Sequence, residues 1–271
     1  MSSGVILSEI SLSLYPILIK VVPTNFNTQL LSRFLVFTIA SLVFYSGQKI
    51  NIGKSLLYGF LTLFHVVASY TAFSNLSAGT AISLFYTYPI MNLIGGLFLG
   101  ESISFQSFFY ILLAFIGTLF ISFSNDEVKG EKPIQIPQNY AIMAGLLAAF
   151  SETLMYFIIR DINTSNPIDS MLQLYPGALV IFGAYILLTN SVIDTDPVNW
   201  TKLGLFNLFV GFAGYCLRFY SIHNVSTTVF SLLSFMGVLS SYTFGKYFVN
   251  EQPSWKTYLG SLLIIAATAG I

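Results

Sequence analysis

The chain has 271 residues, of which 55% are hydrophobic and 8% charged, and its formal net charge is zero. Soluble domains carry about a quarter charged residues, so this composition excludes a water-exposed surface and makes lipid the solvent. Zero net charge offers nothing to a nucleic-acid backbone, and a lone cysteine, Cys216, excludes an intramolecular disulfide.

A membrane helix needs about 20 mostly apolar residues. Ten segments of this chain qualify, at approximately 4–22, 28–46, 55–74, 78–99, 104–123, 140–160, 170–189, 202–222, 226–248 and 255–271. Their joints are short and hold turn residues: Pro23-Thr24-Asn25, Gly47-Gln48-Lys49, Ser74-Asn75, Asn166-Pro167 and Asp196-Pro197. The N-terminus has no basic leader and Glu9 interrupts its apolar run, so no cleavable signal is read there. The longest polar stretch, Ser124–Asn139, falls at the midpoint and holds Asp126, Glu127, Lys129, Glu131 and Lys132. It reads as a linker (124–139) between two units, 1–123 and 140–271. Five spans per unit is odd, so the second unit must enter the bilayer with opposite orientation. The predicted fold is an all-α integral membrane protein of ten transmembrane helices in two inverted five-helix repeats.

The polar residues follow the same plan. Ser55, Tyr58, Thr62, His65 and Ser69 form one face of the third segment. Gly204, Asn207, Gly211, Gly214 and Arg218 form one face of the eighth, at a constant offset of 149 residues. Such stripes in a lipid-embedded helix face protein or water, so both point inward. In the first segment Glu9, Ser13, Pro16 and Lys20 share a face; in the sixth, Glu152, Tyr156 and Arg160 do. Small residues at Thr227, Ser231, Ser234, Ser241 and Gly245 give the ninth segment a face for close helix packing. Pro16, Pro89 and Pro176 lie inside helices, where each removes a donor and invites a kink.

The longest internal match sets Asn75–Ser102 over Asn224–Gln252, with Phe98-Leu99-Gly100-Glu101 over Phe248-Val249-Asn250-Glu251. The pattern of small residues, an apolar run, Pro, a second apolar run and Leu-Gly-Glu in Ala78–Glu101 resembles the EamA domain of the drug/metabolite transporter superfamily. Its echo at Thr227–Glu251, followed by Tyr258-Leu259-Gly260, resembles the second copy, and Lys20 and Arg33 fit the first two helices. Two departures bear on the symmetry of gating: Val238-Leu239 has no proline, and Asn250 replaces the glycine before Glu251. The resemblance implies a ten-helix secondary transporter with a central cavity and alternating access. It also implies both termini in the cytoplasm, whereas the distribution of lysines leans the other way. The plasma or inner membrane is the expected location, with the bilayer and a small-molecule solute as partners; a homodimer is left open.

Arg218 is the sharpest candidate residue, because a guanidinium inside the bilayer must find a carboxylate, carbonyls or water. It reads as a fork for a substrate anion, as an internal partner of Glu9 or Glu152, or as a side chain snorkelling to the nearer interface. His65, Ser69, Thr62, Asn207, Tyr86 and Tyr156 complete the predicted substrate-binding set. Glu9, Glu152 and Arg33 are read as proton-coupling groups or internal ion pairs. Lys20 and Arg160, near helix ends, are expected to snorkel, and Glu101 and Glu251 to cap the helices that follow them. The excess of bases favours an anionic or zwitterionic solute. No P-loop, metal-ligand cluster, catalytic triad or cofactor motif is present. A membrane-embedded enzyme on lipid-linked substrates and a non-transporting structural subunit are the competing readings.

Overall fold

The computed structural model describes residues 2–45, 47, 52–123, 130–162 and 166–269. Gln48 and Lys49 of the second joint, and Asp126, Glu127 and Lys129 of the linker, lie outside them. The described chain is helical throughout: α1 (Ser2–Leu12), α2 (Tyr15–Val21), α3 (Phe26–Val43), α4 (Ile52–Asn75), α5 (Ala78–Phe85), α6 (Tyr88–Phe98), α7 (Phe105–Ser122), α8 (Gln138–Asp161), α9 (Pro167–Thr189), α10 (Pro197–Phe206), a π-helical turn at Asn207–Phe212, α11 (Ala213–Asn224), α12 (Thr227–Ser234), α13 (Met236–Val249) and α14 (Trp255–Ala269). Joined across their breaks, these give eight helices long and apolar enough to cross a membrane and two shorter apolar ones, Phe105–Ile121 and Trp255–Ala267. Together they are the ten expected spans.

Side-chain caps start many of them. Asn25, Ser77, Ser104, Asn166, Asp196 and Ser226 accept a hydrogen bond from a backbone N–H in the first turn of α3, α5, α7, α9, α10 and α12. Breaks within spans have local causes. Pro16 and Pro89 open α2 and α6, where their rings cannot continue the preceding helix. The ninth span breaks at the matching place, Phe235, without a proline. There Ser234 Oγ back-bonds to the Phe230 carbonyl at 2.8 Å, and the poor helix former Gly237 follows. Asn250 is left-handed at φ 58°, as Gly100 is at φ 84°. Asparagine tolerates that conformation, so neither sequence departure alters the backbone plan. Pro176 leaves α9 continuous.

The repeats run in opposite directions. α5 packs on α13 and α6 on α12, so the fourth and ninth spans are antiparallel. α4 lies against α8 and α9, and α11 against α1; the third span thus meets the sixth as the eighth meets the first. α7 and α14 pair with each other outside this core. Large apolar side chains point outward, Phe98, Phe105 and Leu188 among them. In water such a surface would aggregate; in a bilayer it is the solvated face. The inner stripes are turned away from lipid, as expected: Ser55, Thr62, His65 and Ser69, and Asn207, Gly211, Gly214 and Arg218, are all buried.

Candidate functional site

Four of the predicted ionisable residues meet near the middle of the bundle. Arg218, on α11, places Nη1 3.0 Å from Glu9 Oε1 and Nη2 2.7 Å from Glu152 Oε1. Glu152 turns its other oxygen to His65 Nε2 at 3.3 Å, and His65 Nδ1 lies 3.1 Å from Ser151 Oγ. Glu9 also accepts hydrogen bonds from Tyr86 Oη, from Ser234 Oγ at 3.4 Å and from Tyr88 Oη at 3.5 Å. The Arg218 guanidinium stacks over the Tyr88 ring, 5.0 Å from its centroid. First-repeat Glu9 and His65 and second-repeat Glu152 and Arg218 therefore form one buried network. Of the three sequence readings of Arg218, internal pairing is the one this conformation adopts.

Arg33 is in a different situation. It is 2% exposed, and among the described residues no carboxylate lies within ion-pair distance of it. Its Cζ sits 4.6 Å from the Tyr15 ring centroid, 5.0 Å from Tyr215, 5.4 Å from Phe37 and 5.6 Å from Tyr70. Nη2 donates to Tyr175 Oη at 3.2 Å. The expected internal ion pair for Arg33 is replaced by an aromatic cage.

A small cavity of about 20 Å³ joins the network to the cage, lined by Arg33, His65, Ser69, Tyr86 and Arg218 with Tyr15, Tyr215, Leu12, Phe73, Ile82 and Phe85. That space admits about one water molecule. Helix breaks flank it: Tyr86 directly follows α5 and Tyr15 begins α2, while Ser234, which ends α12, bonds Glu9 beside it. Asn207 stands one shell out, at the start of the π-helical turn. It accepts from Tyr15 Oη at 3.1 Å and donates to Ser32 Oγ at 3.1 Å. Thr62 and Tyr156 are not part of the cavity wall. Thr62 Oγ1 bonds its own helix at the Tyr58 carbonyl, and Tyr156 Oη donates to Thr227 Oγ1 at 3.1 Å. A wider groove of about 780 Å³ opens beside linker residues Pro133 and Ile134, and among the described residues no charged side chain lines it.

The model of the EamA-like transporter family matches residues 2–123 and again 139–271. The chain belongs to the EamA-like transporter family. An uncharacterized transporter of Bacillus subtilis strain 168, YxxF, is 25% identical over 229 residues, 82% of this chain and 70% of that one. A solved crystal structure superposes with a TM-score of 0.70 at 16% identity, covering 99% of this chain and 95% of the other, which shows the shared fold.

In this EamA-like transporter the two glutamates after the fourth and ninth spans do not take the expected role of capping the helices that follow them. They cross to the other repeat. Glu251 accepts from the Ala78 backbone N–H at the start of α5 (2.9 Å to Oε2) and pairs with Lys20 Nζ at 2.6 Å. On the opposite membrane face Glu101 pairs with Arg160, which also donates to Thr227 Oγ1 at the start of α12. Lys20 and Arg160 end the equivalent first and sixth spans. Lys20 is fully buried in its pair rather than snorkelling, whereas Arg160 is about a third exposed. Sequence reasoning also passed over Tyr15, Tyr70, Tyr175 and Tyr215. With 26 Phe and 16 Tyr in the chain, no spacing singles those rings out.

Proposed function

We propose that this transporter is a secondary carrier that moves a small polar solute, anionic, zwitterionic or amphipathic, by alternating access. The observation that carries this reading is the small cavity between the repeats, walled by ionisable side chains from both and flanked by broken helices. Discontinuous helices at a midplane site between inverted repeats suit a carrier, because rocking one repeat against the other exposes the site to each side in turn. Glu9 and Glu152 are the groups through which a proton would couple, since both contact Arg218 and either carboxylate can change charge. The crossed pairs Lys20–Glu251 and Arg160–Glu101 act as locks at the two faces, and the plasma or inner membrane is its place of work.

The test is uptake of labelled solutes into proteoliposomes holding the purified protein, with and without an imposed pH gradient. Concentrative uptake that collapses with a protonophore is expected, and Arg218→Ala should abolish it while the protein still reaches the membrane. Turnover of a lipid-linked substrate without solute movement would favour the enzyme reading instead.

A further inference from the structure

We infer that Arg33 is the carboxylate-binding subsite of this protein, and that its solute is a small organic anion with a short apolar body. The inference rests on the transport reading above and narrows it.

A guanidinium keeps its charge at any physiological pH. A buried charge without a counter-ion is strongly disfavoured. Around Arg33 the protein supplies ring faces and tyrosine hydroxyls, and no carboxylate among the described residues. The cage is also unsatisfied: Arg33 Nε is buried without a hydrogen-bond partner. It is a donor, and a carboxylate can accept from a guanidinium edge. Arg33 faces the central cavity, so the missing acceptor has a place to arrive.

The rest of the cavity argues against a cationic head. The two acids nearest to it, Glu9 and Glu152, are engaged by Arg218, and Tyr86 stands between the cavity and Glu9. An ammonium group entering here would meet two arginines, and both nearby carboxylates already pair with Arg218. Leu12, Phe73, Ile82 and Phe85 complete the wall, which suits a few carbons of aliphatic chain. In the present closed state the cavity holds no solute of that size. Tyr15, the nearest ring of the cage, is carried by the first residue of α2, directly after the break in the first span. Movement at that break widens the cage.

The experiment measures equilibrium binding, so it stands apart from any transport assay. Purified protein in detergent is titrated by thermal shift with propionate, lactate and succinate, each beside its amide, and with propylammonium as the cationic control. The expected result is stabilisation by at least one carboxylate and none by its amide or by the amine. Arg33→Gln should abolish that shift. Arg33→Lys keeps a cation in the cage but loses the fork, and should weaken the apparent affinity at least tenfold; it decides the matter if the glutamine variant does not fold. Failure of every carboxylate to outdo its amide overturns the assignment, as does a carboxylate shift that survives Arg33→Gln or is unchanged in Arg33→Lys. If binding behaves as expected but liposomes show no uptake, the subsite stands and the transport reading falls.

Discussion

Arg218 is held by two carboxylates from different repeats, so deleting it strands both. Removing one partner of a buried ion pair destabilises proteins by about 3–5 kcal/mol, mainly because the remaining charge stays buried without compensation. Arg218→Ala should therefore lower the melting temperature markedly, beyond its effect on uptake. Neutralising the whole network removes the stranded charges as well. The triple variant Arg218→Met, Glu9→Gln, Glu152→Gln should melt above Arg218→Ala, although it transports nothing. A triple variant that melts below the single one would mean that the contacts of Glu9 with Tyr86, Tyr88 and Ser234 outweigh the electrostatic term. Arg33 obeys a different rule. Its neighbours are rings, and a neutral residue of similar length strands no opposite charge. Arg33→Met should cost less stability than Arg218→Ala in the same melting assay, and equal losses would show that the cage holds the fold rather than a ligand.

At the scale of helices, two close approaches separate backbone packing from side-chain packing. Gly59 on α4 and Gly177 on α9 lie so near each other that a Cβ on Gly59 would overlap the backbone at Gly177 and Ala178. No rotamer relieves backbone overlap, so Gly59→Ala should destabilise by roughly 1–3 kcal/mol or more, with no side-chain substitution restoring it. Gly237, beside the break in the ninth span, faces the Tyr86 ring instead. Gly237→Ala should be destabilising alone but add little to Tyr86→Ala, read as a double variant that melts no lower than Tyr86→Ala itself. A double variant that melts well below it would mean that the glycine is needed for the break itself. These cases also show what the sequence carries. The spans are legible because lipid demands long apolar runs, and Pro16 and Pro89 announce two breaks. The break at Phe235 and the π-helical turn at Asn207–Phe212 carry no such mark. The central network was half legible: intramembrane Glu9, Glu152, His65 and Arg218 stand out by charge, but which of them pair depends on helix placement. The cage was not legible, since its tyrosines come from four different spans and tyrosine is common throughout.

For the whole molecule, the inverted repeat sets one crossed ion pair at each end of the core, and the two differ in burial. Lys20–Glu251 is almost fully enclosed, while Arg160 and Glu101 are 36% and 30% exposed. An exposed pair is screened by water and contributes at most about 1 kcal/mol; an enclosed pair leaves a stranded charge when broken. The Arg160–Glu101 face should therefore yield first, and the linker face should need a trigger. A reporter inside the cavity tests this directly. In a Cys216→Ala background, Ser69→Cys places a thiol on the cavity wall, to be probed with a membrane-impermeant maleimide from each side of oriented vesicles. Without solute, slow labelling is expected, and faster from the Arg160–Glu101 side. Glu101→Gln should raise that rate only modestly, because the pair contributes little. Lys20→Met should open the linker side by a much larger factor, because Glu251 then keeps only its helix N-terminus. Equal labelling from both faces in the unsubstituted background, or a Lys20→Met variant labelled no faster from the linker side, would rule out the crossed pairs as the elements that hold the two faces shut.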